Sequence, residues 1–555
     1  MNDSTDNFEI ITTDPVSSEL VPWTQPAVTE EAVQESFAGA AVSTPLAGAD
    51  VSSSEKSSDV RQMAAGAGIA LGGKLVGRGV RLVGDIVLAH ILGPASFGLY
   101  AIGWTITKIL TVLTPLGLDA GVIRFASPSW GHDHGRVKGA ISQSLQFSLI
   151  SGFLLGVGFF FLAPWLGENV FHQSSLVLVF RCFAFAFPLV TCLKVAAATT
   201  RVSKRMKYSA YAEDIGQPAA ALLLIVVLYL YGWKLEGALL AFVLSFGFGL
   251  ILAILYIRTL FPEVVSKNIK PVLQGRELVL FSLPASMSVM FGILLLWMDR
   301  LFVGYFCSAS DAGIYHAASQ LPVALGVILS GFGAIVGPMI AGLYHHGKNE
   351  RLEELYRVST KWALYLSLPP FLVMCFAPHD AVTVIFGKPY ALGGMLLPVL
   401  GIGQIINSGT GPVGALLVMT GHQNELSILS GITFLANVGL AFLLVPRFGV
   451  LGAAVGTAVS VGILCLVSVI LAGRILKLWP YDWRYLKGLV AAGAAAMVLL
   501  LFRQLPISSP YFVLLGAIVI SVVVFVAVLV SQGLDGEDRE FLHMILARAL
   551  HRPAG

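Results

Sequence analysis

The sequence predicts an all-α polytopic membrane protein with about 14 transmembrane helices, two six-helix lobes in parallel repeat plus two appended helices. Three observations predict it: an apolar composition, a series of membrane-length apolar segments, and an internal repeat. The 555 residues are 56% hydrophobic and 12% charged, with a mean hydropathy of +0.81. A soluble domain carries about 25% charged residues. The net charge of +3 comes without a basic block, which excludes a nucleic-acid partner. Cys182, Cys192, Cys307, Cys375 and Cys465 are scattered without metal spacing and read as small core residues.

Residues 1–60 hold eleven acids against one base, Lys56, and read as a disordered acidic cytoplasmic tail without signal-peptide character. The candidate spans follow at about 67–92, 98–118, 139–165, 174–197, 209–232, 236–259, 278–304, 312–340, 358–385, 390–418, 425–446, 449–473, 487–505 and 510–531. With the N-terminus inside, the inner loops hold 18 Lys and Arg and the outer loops four (Lys234, Lys388, Arg447, Arg503), so both termini are expected in the cytoplasm. Residues 536–555 place Phe541, Leu542, Ile545 and Leu546 near one face of a short amphipathic helix on the inner surface.

The repeat has an offset of 214 to 215 residues. Asp85 followed by Gly98-Leu99-Tyr100 matches Asp299 followed by Gly313-Ile314-Tyr315. Gly237, Ala238, Ser245 and Gly247 match Gly452, Ala453, Ser460 and Gly462. Residues 67–259 and 278–473 are therefore two lobes, with 487–531 appended. Six spans per repeat is an even number, so both lobes insert the same way round, as in transporters with a substrate site at the lobe interface.

The first span carries Lys74, Arg78, Arg81 and Asp85 at spacings that share one helix face. Three cations turned to lipid would cost roughly 8–10 kcal/mol. The stripe must face a polar cavity or a partner helix, and a cation-lined cavity suggests an anionic cargo. An Arg81–Asp85 pair would account for only one cation, and Lys74 could instead snorkel to the interface. Lys108 in the second span either joins the cavity or neutralises Asp85. Asp299 and Arg300 in span 7 form a buried ion pair or, like Asp85, supply the protonatable group of a coupled cycle. His316 and Gln320, four apart in span 8, could bind sugar hydroxyls or satisfy each other in the core. Glu213 and Asp214 read as an interfacial solvated pair, Arg181 and Lys361 as snorkelling cations, and Asn407 and Asn437 as interhelical hydrogen-bonding residues. Gly68 to Lys74 fits GxxxxGK, but Leu75 stands where a magnesium-binding hydroxyl belongs. His132-Asp133-His134 is a weak metal candidate. No nucleophile–base pair stands out, so neither an enzyme nor a cofactor or metal is expected.

The stretch Leu92-Gly93-Pro94-Ala95-Ser96-Phe97-Gly98-Leu99-Tyr100-Ala101, with Leu116-Gly117-Leu118-Asp119-Ala120-Gly121-Val122-Ile123-Arg124-Phe125, resembles the Wzx-type polysaccharide-biosynthesis flippases of the MOP superfamily, and the motif recurs at Asp311–Tyr315. The resemblance covers about 67–531. It implies two six-helix bundles around a V-shaped cavity, and transfer of an undecaprenyl-pyrophosphate-linked oligosaccharide from the inner to the outer leaflet of a bacterial inner membrane. Within it, Lys74, Arg78, Arg81 and Lys108 would bind the pyrophosphate; a polymerase and glycosyltransferases would be protein partners. A cation-coupled antiporter of the drug-exporter type, a lipid II flippase and a non-transporting partner of a glycosyltransferase are the alternatives.

Overall fold

Helix packing follows from where glycines and small residues let backbones meet. The computed structural model describes residues 53–539 apart from 116, 204, 267 and 534, all within the unit Pro45–Gly555. Side chains are described from residue 72 onward, with 113, 280–281 and 283–289 described as backbone only. The acidic tail thus lies outside the described residues up to position 52, and so does the C-terminal amphipathic helix beyond residue 539. Helix begins at Ser53, inside the stretch assigned to the tail.

The helix Ser53–Leu113 is broken at Gly93 (φ 69°, ψ 171°), with Pro94 opening the second half. We label its parts α1 (53–92) and α2 (94–113). There follow α3 (Leu118–Ala126), α4 (His134–Val170), α5 (Ser175–Val202), α6 (Lys207–Leu230) and α7 (Leu235–Leu260). The second lobe comprises α8 (Gly275–Phe306), α9 (Ala309–His345), α10 (Asn349–Phe376), α11 (Pro378–Phe386), α12 (Lys388–Gly409), α13 (Val413–Met419), α14 (Gln423–Phe448) and α15 (Val450–Ile475). The appended pair is α16 (Trp483–Phe502) and α17 (Pro510–Ser531), packed on α10 through Tyr365, Leu368, Ala491, Ala495, Ala517 and Phe525.

Eleven helices among the described residues are long and apolar enough to cross a membrane, or twelve with the bent pair α10–α11. One of the eleven, Gly72–Val112, holds two expected spans divided at Gly93, and the 32-residue α8 stands at the expected seventh. Span 9 is not one rod over 358–385: the chain turns by 92° between α10 and α11. Likewise, the expected 390–418 span breaks at Gly411 (φ 66°), between α12 and α13. The outer surface exposes Phe153, Leu154, Phe161, Leu223, Ile432, Leu435 and Val523, an apolar cover that suits a bilayer and not water.

The repeat is visible as reciprocal contacts. A Cβ on Gly98 would overlap the Ala309 carbonyl oxygen, and a Cβ on Gly313 would overlap that of Pro94. Each motif glycine therefore seats the residue that opens the other lobe's motif helix, and α2 and α9 cross backbone to backbone. Within the lobes, Gln217 donates to Ser245 (3.0 Å) between α6 and α7, and Asn437 donates to Ser460 (3.0 Å) between α14 and α15. Asn407 accepts from Cys465 across α12 and α15, so both asparagines bond between helices as expected. The α1–α2 turn defines a far end of the bundle, opposite the near end where α1 enters. At the far end Tyr390 donates to the Ala89 carbonyl (2.9 Å), and Phe97 packs edge-on against Tyr390 and His316. The lobes are closed there.

Candidate functional site

The first span reaches the α6 segment because its other face is small. Cβ atoms on Gly73 and Gly77 would collide with Ala210 and the Asp214 carbonyl, so α1 lies backbone to backbone on α6 at this point. The contacted stretch of α6, Ala210–Gly216, is a π-helical turn, an irregularity that often re-aims side chains at functional sites. It presents Asp214 to a cavity of about 180 Å³ lined by Lys74, Gly77, Arg78, Arg81 and Asp214. Among the described residues, none of these three cations makes an ion pair within 4 Å; Arg81 only donates to the Glu213 carbonyl at 3.4 Å. Glu213 is taken by Arg201 (3.1 Å). The cavity wall therefore carries three cations against one acid.

Further along the same lobe, the Lys108 ammonium lies 5.7 Å from the Trp104 ring centroid, half-buried. Lys194 on α5 donates to the Thr111 carbonyl (2.7 Å) one turn away on α2. Lys194 is absent from the sequence-derived site because it sits among small apolar residues late in span 4; its charge alone was the available signal. Asp214 was assigned to solvent, and the π-turn turns it into the cavity instead.

Asp85 does not pair with Arg81. Its carboxylate accepts from Gln320 Nε2 at 2.6 Å, across the lobe interface. Gln320 meets His316 at 3.2 Å, which makes those two a satisfied pair, and His316 Nδ1 accepts from Arg300 Nε at 3.3 Å. Arg300 and Asp299, 2% and 4% exposed, are ion-paired at 2.9 Å. Asp299 also accepts from Tyr315 (2.7 Å) and Thr457 (3.4 Å). Arg300 donates to Ser319 (2.7 Å) and the Leu296 carbonyl (3.0 Å), and stacks on Trp297 with its guanidinium carbon 4.3 Å from the ring centroid. The sequence-predicted residues thus fall into two sets, cations on the wall of the first lobe and a hydrogen-bonded chain through the core. Lys361 does not snorkel: it is buried and bonds Asp535, Glu537 and Asp538 at 3.3, 3.4 and 2.9 Å. Arg181 lies over the Phe160 ring (5.2 Å). Asp133 of the histidine pair caps α4 by accepting from the Arg136 amide, and among the described residues no cluster of three or more His, Cys, Asp or Glu could hold a metal ion.

Two lobes in contact at the far end through α2 and α9, and at the near end where α8 meets Gly117 and Leu118, with a charged cavity on the near-end wall of the first lobe, define a polytopic, two-lobed helical membrane protein. The family model described as "Polysaccharide biosynthesis protein" matches residues 63–343, and the chain belongs to that family. A second model, MatE, matches residues 284–443. The capsular polysaccharide biosynthesis protein CapF of Staphylococcus aureus is 21% identical over 240 residues, 43% of this chain and 61% of CapF, so the match spans about three fifths of that relative. A Shigella flexneri protein named as a candidate O-antigen transporter is 21% identical over 384 residues, 67% of this chain and 89% of its own. Among solved structures, the lipid II flippase MurJ in an inward closed conformation superposes with a TM-score of 0.67 at 14% identity, covering 86% of this chain and 99% of its own.

Proposed function

We propose that this protein is a flippase for a lipid-linked polysaccharide precursor, carrying an undecaprenyl-pyrophosphate-linked oligosaccharide from the inner to the outer leaflet of a bacterial inner membrane. The observation that carries the reading is the cavity wall on which Lys74, Arg78 and Arg81 stand, among the described residues, without ion-pair partners within 4 Å. A pyrophosphate is the complementary ligand, because guanidiniums grip phosphate oxygens bidentately and gain most where water is scarce. Family membership and the names of the relatives support the same cargo class.

On this reading Lys74 meets the head group first, and Arg78 and Arg81 bind the pyrophosphate. Lys108 and Lys194 extend the positive wall inward. The polyprenyl tail stays in lipid. On this reading the near end faces the cytoplasm, in keeping with the excess of Lys and Arg in its loops. Rocking the lobes apart at Gly98 and Gly313 then delivers the head group outward. A cation-coupled exporter of cationic compounds would need an acid-dominated cavity, and Asp299 is already neutralised by Arg300.

The test is translocation of undecaprenyl-pyrophosphate-linked oligosaccharide in proteoliposomes. Wild type should transport it and the Arg78→Gln/Arg81→Gln variant should lose transport while remaining folded. Transport that survives in the variant would remove the site assignment; a folded wild type that transports none would remove the flippase reading.

A further inference from the structure

Resting on that flippase reading, we infer that Trp104 and Trp297 form a carbohydrate subsite, which stacks the first sugars of the cargo while the cations hold its pyrophosphate. The two indoles come from opposite lobes, Trp104 on α2 and Trp297 on α8, and meet edge to face with ring centroids 4.7 Å apart. Both keep part of their surface accessible, unlike the fully buried aromatics of the surrounding core. Each has a cation beside it: Lys108 at 5.7 Å from Trp104, and Arg300 at 4.3 Å from Trp297.

Position fits the cargo. Lys108 and Trp104 are four residues apart and share the face of α2 that carries the positive wall inward. His316, at 5.7 Å from Trp104, is bonded to Gln320, which bonds Asp85. Asp85 stands seven residues beyond Arg78, about 10 Å further along α1. A head group whose pyrophosphate sits at Arg78 and Arg81 therefore points its sugars at the tryptophan pair. The apolar C–H face of a pyranose stacks on an indole, and polar groups around the rim take its hydroxyls. The contribution of His316 and Gln320 is then to fix the rim, their own polar atoms being engaged with each other and with Asp85 and Arg300. Because one indole comes from each lobe, rocking the lobes apart splits the platform and releases the sugar on the outer side.

The experiment uses the full chain in proteoliposomes with two probes, undecaprenyl pyrophosphate and undecaprenyl-pyrophosphate–N-acetylglucosamine. The readout is the ratio of transport efficiencies, sugar-bearing over sugarless. Trp104→Leu and Trp297→Leu should each lower that ratio about three- to tenfold, and Trp104→Phe should restore most of it. Arg78→Gln should depress transport of both lipids and leave the ratio near that of wild type. An unchanged ratio in both leucine variants would overturn the sugar subsite and leave the flippase reading standing. If wild type moves neither lipid, the flippase reading fails, and tryptophan fluorescence of the purified chain titrated with chitotriose decides the subsite. A spectral shift lost in the double leucine variant supports it; no shift in wild type overturns it.

Discussion

The two lobes carry the same aspartate at the same register and use it in different ways. In the second lobe Asp299 is engaged by its neighbour Arg300, by Tyr315 and by Thr457. In the first lobe Asp85 has no arginine beside it in sequence and accepts from Gln320 of the other lobe. Cations follow the same division. Those on α1 outnumber the one acid of their cavity wall and, among the described residues, make no ion pair within 4 Å, whereas Arg300 and Lys361 are buried and paired. On the proposed reading, one half of the repeat binds the cargo and the other is neutralised within the fold. The lesson is that an intramembrane charge declares its role through its partners: a saturated charge holds the fold, and an unsaturated one waits for a ligand.

This comparison breaks first at Arg300. Arg300→Leu should destabilise the folded protein by about 3–5 kcal/mol, because it strands a buried carboxylate. By contrast, Arg78→Gln should change stability by no more than about 0.5 kcal/mol. Thermal unfolding of the two purified variants measures the difference; equal losses would end the division into structural and binding charges. The lobe contact comes next. Gly98→Ala and Gly313→Ala each force a methyl onto a carbonyl oxygen of the other lobe, and should cost about 1–3 kcal/mol of the closed far end. Spin labels on the two lobes should report a longer far-end distance in both variants, and a response from only one would deny the reciprocity. Smaller still are the paired interhelical bonds: Gln217→Leu and Asn437→Leu should each lose about 0.6 kcal/mol, and a large disparity between them would show that the lobes no longer share this strut.

The finest test is pH. Burial works to raise the Asp535 carboxyl, but the hydrogen bond from Lys487 (2.7 Å) and the charge of Lys361 outweigh it and hold the group below the usual carboxylate range. A depressed folded-state value means the attachment contributes fully above the unfolded value of about 3.9 and is lost as pH falls through the folded one. A spin label placed at Gly536 should gain mobility only under such acid conditions; a gain already at pH 6 would contradict this sign.

Much of this was legible in the sequence for a physical reason. Helix-length apolar runs and a repeat offset are local or periodic signals, so the spans, the lobes and the Gly98–Gly313 correspondence could be read directly. Partners far apart in sequence leave no such trace. Lys361 looked like a span-end cation because the carboxylates it meets lie 174 to 177 residues away. Arg81 and Asp85 had ideal helical spacing for a pair, yet tertiary contacts offered each a different partner. The π-turn at Ala210–Gly216 and the 92° bend between α10 and α11 arise from packing, and no periodicity announces them.

The attachment of Asp535, Glu537 and Asp538 to Lys361 also has a meaning in time. A chain made at about 5–20 residues per second emerges with Lys361 roughly 9–35 s before its carboxylates. During that interval the Lys361 ammonium lacks the partners it has in the folded chain. The contact between Lys361 and these carboxylates is therefore among the late ones to form as the chain is made.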